Sequence, residues 1–132
     1  MGEIKYVNPP NMPKPNGPYG YGTIQNGWFY MAGQIPVDPD NPSAALPETI
    51  EEQSEIVFKN IVRILDAAGY DFEDVTSVRV YLKDLPRDLL RFNTVYTKYF
   101  KEGKYPVRTA VGVTGLAKDA LVEVDLVAHK KN

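Results

Sequence analysis

The sequence predicts a single α+β domain, residues 1–132, in which two helices cover one face of a mixed β-sheet. Apolar residues recur at helical spacing in two segments and alternate with polar residues in others, which separates helices from strands. Turn and loop residues divide these segments into the order β-β-β-α-β-α-β-β. A chain of 132 residues can bury a core of its own without disulfides or metals.

The first third of the chain is predicted to contain a short strand, a loop and a hairpin. Prolines crowd residues 8–19, and so much proline excludes a helix or a central strand there. The dipeptide Asn26-Gly27 separates residues 23–25 from residues 28–32, which is a strong signal for a two-residue hairpin turn. A second proline-rich stretch, residues 36–47, is predicted to be a surface loop.

The first helix has clear start and stop signals. Thr49 and Glu52 have the spacing of a capping box, and Gly69 is suited to end the helix in a left-handed conformation. The apolar residues between these signals fall on one helical face: Val57, Ile61, Ile64, Leu65 and Ala68.

The second half of the chain is predicted to hold one strand, one helix and two final strands. Residues 77–83 alternate as a strand, residues 85–88 break it, and a helix follows over about residues 89–100. Residues 106–113 and 120–128 form the last two strands. Because the sheet face without helices also carries apolar residues, we expect the chain to bury that face by self-association. The residues that suggest this are Leu121, Val127 and residues 28–30.

Composition and charge exclude several classes of function. The formal net charge is −2 without a basic block, so a nucleic-acid-binding footprint is absent. The chain has no cysteine, which excludes disulfides, thiolate metal sites and cysteine nucleophiles. His129, the single histidine, lies beside lysines near the chain end and is expected to be a solvated tail residue. With no apolar segment of signal-peptide or membrane-spanning length, we expect a cytoplasmic protein that does not bind a membrane.

Arg108 and Glu123 are the two residues that point most directly to chemistry. Each lies inside an apolar run, and a charge in a buried run needs a partner. The two runs are expected to be neighbouring strands of a hairpin, so a cross-strand ion pair and a binding site both remain open. They share a sheet face only if the register pairs even-numbered with odd-numbered residues. Ala110 and Gly112 are small and would leave open space beside the guanidinium, which suits bidentate binding of a carboxylate.

Six short segments in this order match the sequence blocks of one family: residues 17–19, 32–36, 50–53, 93–96, 106–108 and 121–124. Any one of these blocks is a weak signal, but all six together, over nearly the whole chain, are highly specific. In them the chain resembles the Rid family, also called the YjgF or enamine/imine deaminase family.

The resemblance implies a chorismate-mutase-like fold and a homotrimer with three sites in clefts between subunits. In active members the arginine matching Arg108 binds the substrate carboxylate, and the glutamate matching Glu123 positions or activates the attacking water. The implied substrates are 2-imino or enamine acids, such as 2-iminopropanoate and 2-iminobutanoate, which are hydrolysed to 2-oxo acids and ammonia without a cofactor or metal. The other implied substrate contacts are Tyr19, Ala32, Gly33, Asn93 and Ala110.

The chain departs from the family pattern at several of these positions. Ala32 stands where imine deaminases often have serine, and Gly20 follows Tyr19 where serine is common. These departures leave the substrate open, with aminoacrylate-type and aminomuconate-type compounds as further possibilities. Tyr19 and Asn93 also fit structural roles, in the proline-rich loop and on the second helix.

Two classes of function are therefore predicted. The first is an imino-acid hydrolase, and the alternative is a non-catalytic trimer that binds small carboxylates or a protein partner. A ribonuclease or translation-inhibitor activity, also attached to the family, is disfavoured by the acidic charge balance.

Overall fold

A computed structural model describes residues 2–130 of the chain and confirms the predicted fold class and element order. Six strands form one sheet in the order β1-β2-β3-β6-β4-β5, in which β4 and β5 are parallel and all other neighbours are antiparallel. The elements are β1 Lys5–Val7, β2 Gly22–Gln25, β3 Trp28–Gln34, α1 Ile50–Ala68, β4 Val75–Leu82, α2 Leu85–Tyr96, β5 Val107–Gly112 and β6 Val122–His129.

Both helices pack on the same face of the sheet, and the core lies between the two layers. Along β4 the residues Val78, Val80 and Leu82 are fully buried, as the strand alternation predicts. Opposite them the even-numbered residues of β6 are buried too. The other face of the sheet, called the open face here, carries exposed aromatic and aliphatic side chains: Trp28, Tyr30, Val107 and Val111.

Helix α1 begins and ends at the predicted residues. Thr49 accepts a hydrogen bond from the Glu52 backbone N–H at 3.1 Å, and its hydroxyl donates to the Glu52 carboxylate at 2.9 Å. Gly69 ends the helix with a φ of 82°, a conformation that favours glycine. The predicted apolar face faces the core, although Ala68 is only partly buried.

Helix α2 begins four residues earlier than the sequence predicted. Asp84 caps it by accepting from the Arg87 N–H, and Pro86 lies in its first turn. Residues 85–88 lie beyond the end of β4, as predicted, but they also form the first turn of α2, because proline is tolerated at the start of a helix, where its missing N–H has no partner in any case. The helix also ends earlier, at Tyr96, so Phe100 lies beyond it.

The prediction that the last two strands form a hairpin was also wrong. β5 pairs in parallel with β4, and β6 lies on the other side of β4. Residues 113–121, which include the 3₁₀ turn Ala117–Asp119, therefore cross the end of β4. β5 is an edge strand, which is why a charged residue within it stays solvated.

Side chains of α1 hold both proline-rich loops. Arg63 donates to the Asn11 carbonyl at 2.9 Å and to both carboxylate oxygens of Asp40 at 3.0 Å. Arg63 and then Lys59 lower the pKa of Asp40 to about 2. Asn60 donates to the carbonyl of Val37 at 3.0 Å. These contacts fix the loops against one helix, although their sequences contain little regular structure.

None of the helices described within residues 2–130 is long and apolar enough to cross a membrane.

Replacing Thr49 by Ala should lower the free energy of unfolding by about 1 kcal/mol, because the cap of α1 is lost. Urea unfolding followed by circular dichroism measures this change. Thr114→Ala, an exposed threonine outside any helix, is the matched control. Equal stability of the two variants would contradict the assigned role of Thr49.

Candidate functional site

Arg108 is held in place by two residues of α2. Its Nη1 donates to Asn93 Oδ1 at 2.7 Å, and its Cζ lies 4.7 Å from the centroid of the Tyr96 ring. Asn93 and Tyr96 are one turn apart, so both face the same strand. Among residues 2–130, no carboxylate lies within ion-pair distance of Arg108. The guanidinium is thus oriented by neutral groups and keeps donors available for an anionic ligand.

A cavity of about 340 Å³ opens beside this guanidinium and is called the Arg108 cleft here. The aromatic rings of Tyr96 and Tyr105 contribute to it, with centroids 6.5 Å apart. Its polar groups are few, which is typical of a small-molecule site in which a charged residue fixes the ligand. The lining residues are Asn93, Tyr96, Thr97, Tyr105, Pro106 and Arg108.

The small residues of β5 do not leave the open space that the sequence suggested. A Cβ on Gly112 would lie 3.2 Å from Cβ of Leu85, so the absence of a side chain at Gly112 leaves room for the first turn of α2. Ala110 packs partly buried against the core. The expectation of space at Gly112 was wrong because the helix occupies it, whereas a substrate contact by Ala110 stays a prediction.

Glu123 lies on the open face of the sheet, directly against the backbone of Gly33. A Cβ added to Gly33 would lie 2.0 Å from Glu123 Oε2, so no larger residue fits without displacing the carboxylate. The pairing of β3 with β6 shifts register between Met31 and Gln34. Ala32 and Gly33 lie within this irregularity, which changes the direction of the backbone next to Glu123. Bulges of this kind are common beside active sites.

Tyr19 lies in the first proline-rich loop, exposed, and lines a small cavity of about 120 Å³ together with Gly33. The cavity also contacts Lys118, which adopts a left-handed backbone with φ of 57° that is uncommon for a non-glycine residue. Gly33 thus borders both this cavity and the Glu123 carboxylate, although Glu123 itself does not line the cavity. Ala32, Gly33 and Glu123 are called the Glu123 group here, and Tyr19 approaches this group at Gly33.

The Arg108 cleft and the Glu123 group lie on opposite faces of the sheet. Arg108 pairs with Val78, which faces the helices, whereas Glu123 pairs with Tyr81 on the open face. β4 lies between the two strands, so a cross-strand ion pair of Arg108 with Glu123 within one chain is excluded. A mechanism that needs both side chains in one cleft of a single chain is excluded as well.

Burial raises the pKa of Glu123 above its ordinary value, and the neighbouring charge of Asp125 raises it further. Asp125 itself accepts from Arg79 Nε at 2.8 Å and from the Tyr81 hydroxyl at 3.0 Å. On the other side of the sheet, burial raises the pKa of Tyr96, and the Arg108 charge partly opposes this shift. A half-buried carboxyl with a raised pKa is suited to accept a proton near neutral pH.

His129 is not the solvated tail residue that the sequence suggested. It lies in β6, half-buried, and its ring centroid is 4.3 Å from that of Trp28. Trp28 and His129 are cross-strand partners, so the aromatic contact follows from the register of β3 with β6. No group of three His, Asp or Glu side chains within residues 2–130 is arranged to hold a metal ion.

Several residues that line these two cavities were not predicted as site residues, Thr97 among them. Tyr96 was placed on a helix face and in a family block, without a role beside Arg108, and Tyr105 and Lys118 were not considered. Tyr105 could have been predicted as a site residue, because this aromatic residue directly precedes Pro106 in the segment that carries Arg108. The left-handed backbone of Lys118 has no such signal in the sequence.

The fold and these groups define an α+β domain with an arginine-based cleft suited to a small carboxylate. Residues 9–130 match the model of the family described as Ribonuc_L-PSP, Endoribonuclease L-PSP, so the chain belongs to this YjgF/Rid family. It is 44% identical to a RutC family protein of Pyrococcus horikoshii over 92% of this chain and 94% of that protein.

Solved structures agree with this family membership. A Rid family protein, YyfA of Yersinia pestis, superposes with a TM-score of 0.90 at 31% identity, covering 97% of this chain and all of that chain. TdcF of E. coli, solved with bound serine, superposes with a TM-score of 0.86 at 30% identity, covering 96% of this chain and 99% of that chain.

The raised pKa of Glu123 can be measured directly. ¹³C NMR titration of the side-chain carboxyl should place the Glu123 midpoint above the ordinary pKa of a glutamate. Asp125→Asn should lower the midpoint, because a neighbouring negative charge is removed. A Glu123 midpoint at or below the ordinary pKa of a glutamate would contradict the assigned desolvation.

Proposed function

We propose that this protein hydrolyses small 2-imino and enamine acids to 2-oxo acids and ammonia, in clefts between the subunits of a homotrimer. Arg108 of one subunit binds the substrate carboxylate, and Glu123 of the adjacent subunit positions the attacking water. The observation that carries the proposal is an arginine oriented by Asn93 and Tyr96 with no acidic partner among the described residues.

The chemistry needs little beyond orientation and one proton acceptor. The oxygen of water adds to the imine carbon while one water proton passes to the Glu123 carboxylate, which delivers it to the imine nitrogen and gives a neutral carbinolamine. Glu123 then takes the proton of the carbinolamine hydroxyl and passes it to the amino nitrogen as the C–N bond breaks, which leaves the 2-oxo acid, ammonia and the free carboxylate. A carboxylate with a raised pKa is a better proton acceptor than an ordinary glutamate, which supports this role.

The separation of the two groups supports a site built from two chains. One chain presents its Arg108 cleft on the helix side of an edge strand and its Glu123 group on the open face. The exposed aromatic and aliphatic side chains of the open face favour its burial by other copies. Closed cyclic symmetry brings unlike surfaces of neighbouring subunits together, and repeats the contact three times in a trimer.

The serine bound in the TdcF structure supports a small ligand with a carboxylate, since serine carries its carboxylate beside a substituted carbon. The alternative is a non-catalytic trimer that binds small carboxylates or a protein partner. Ala32 favours this alternative, because it lacks the hydroxyl that the resemblance associates with imine deaminases. The two functions differ in turnover rather than in binding.

Turnover of 2-iminobutanoate tests the enzymatic function. A threonine dehydratase generates the imine in the reaction, and competition with semicarbazide reports how fast it is lost. Arg108→Ala should lower kcat/KM roughly 10- to 100-fold, because charge-assisted hydrogen bonds to the carboxylate are lost. Glu123→Gln should lower it roughly 10²- to 10⁴-fold, as removal of a general base does. Wild-type protein no faster than Arg108→Ala would exclude this activity.

Stability separates catalytic loss from misfolding in the Glu123 variant. The pKa of the carboxyl is raised in the folded state, so ionisation above the unfolded pKa destabilises the fold, and glutamine removes this penalty. Glu123→Gln should therefore have a Tm at pH 7 at or above that of wild type. Glu102→Gln, on an exposed turn, is the control that should leave both Tm and turnover unchanged.

Mixed trimers test whether the two residues come from different chains. Subunits carrying Arg108→Ala and subunits carrying Glu123→Gln are each nearly inactive alone, but their co-expression forms some clefts with both native residues. For random assembly in a cyclic trimer, about one cleft in four regains both. Recovery of roughly a quarter of the wild-type rate is expected, whereas no recovery would mean that the site does not combine two chains in this way.

A further inference from the structure

The Arg108 cleft is large for the smallest imino acids. Its volume of about 340 Å³ lies in the range of about 300–1,000 Å³ that pockets for drug-sized ligands occupy. In comparison, 2-iminopropanoate has only six non-hydrogen atoms. A carboxylate bound to Arg108 therefore leaves much of this single-chain volume unfilled, and the adjacent subunit and the ligand's side chain share what is left.

Apart from the Arg108 guanidinium, the walls of the cleft are mostly apolar or already hydrogen-bonded. The Thr97 hydroxyl donates to the Asn93 carbonyl at 3.1 Å, so it is occupied within the helix end. The Tyr96 hydroxyl is fully buried, so Tyr96 contributes ring surface to the cleft. Tyr105 and Pro106 complete this wall. Such a surface favours a hydrocarbon side chain over a polar one.

Tyr105 is the residue of this wall that is free to receive a ligand. Tyr105 is half-exposed, at 50%, and the centroid of its ring lies 6.5 Å from the centroid of the Tyr96 ring. Pro106 restricts the backbone of the residue before it to extended conformations. The ring is thus presented by a constrained segment, and a preorganised aromatic group binds at low cost in conformational entropy.

We propose that Tyr105 is a specificity-determining residue whose ring packs against the substrate side chain. The site then prefers 2-imino acids with branched aliphatic or aromatic side chains over 2-iminopropanoate. This proposal rests on the proposed function, because it assumes that the ligand carboxylate binds Arg108.

The test compares a series of imines in wild-type protein and in Tyr105→Ala. An L-amino-acid oxidase with catalase generates the imines of alanine, leucine and phenylalanine, and semicarbazide competition measures their hydrolysis. Tyr105→Ala should lower kcat/KM roughly 3- to 10-fold for the leucine and phenylalanine imines, as loss of an aromatic contact does. The alanine imine should change by less than a factor of two. Tyr105→Phe should keep the wild-type preference.

Tyr6→Ala is the matched control. Tyr6 is also exposed, but it lies on β1 at the opposite edge of the sheet. Titration calorimetry with phenylpyruvate and pyruvate is run in parallel, so binding is measured independently of turnover. The wild-type protein should bind phenylpyruvate more tightly than pyruvate, and Tyr105→Ala should remove that difference.

The outcomes separate the two proposals. Equal effects of Tyr105→Ala on all three imines, or no preference in the wild type, would overturn the role of Tyr105 and leave imine hydrolysis intact. If no imine is hydrolysed, the enzymatic function falls, and calorimetry decides the role of Tyr105. An unchanged preference for phenylpyruvate in Tyr105→Ala would then overturn that role too.

Discussion

The whole arrangement depends on the alternation of side chains across β4, which lies between β5 and β6. Val78, Val80 and Leu82 must face the helices to form the core. The neighbouring strand β6 must direct its own set of apolar residues to the same face of the sheet. A slip of β6 by one residue would expose this set, so its register is fixed by hydrophobic burial. The positions of Arg108 and Glu123 on opposite faces therefore follow from packing and not from the chemistry of either residue.

The two charged residues are placed in opposite electrostatic environments. Arg108 lies on an edge strand, where water solvates its charge and the Asn93 oxygen and the Tyr96 ring orient it. A cation above an aromatic face gains about 0.5–1 kcal/mol at an exposed site, enough to favour one orientation without neutralising the charge. Glu123 is half-buried, and its ionised form is disfavoured. One group is therefore ready to bind an anion and the other to accept a proton.

Local signals in the sequence were sufficient for most of the fold, but not for the pairing of β5. The cap at Thr49 and the stop at Gly69 act through neighbouring backbone atoms, so spacing alone identifies them. The pairing of β5 with β4 depends on α2, which returns the chain in parallel, whereas the short segment before β6, residues 113–121, resembles a hairpin turn equally well. The side of the sheet on which Arg108 lies depends on that distant pairing, so it could not be predicted from the residues next to Arg108. Charges inside apolar runs pointed to Arg108 and Glu123, and the family resemblance implied their roles, but neither carried information on their faces within one chain.

Glu123 differs from its neighbour Asp125 in a way that bears on its role. Both acids lie on the open face of β6, but Asp125 is neutralised by Arg79 and hydrogen-bonded by Tyr81. Glu123 receives no such partner within the described residues and instead lies against Gly33, where only glycine leaves room for it. An unpaired, partly desolvated carboxylate lowers the stability of a fold. A sequence optimised for stability alone would pair it or replace it, so this position is better explained by a functional role of the carboxylate than by stability.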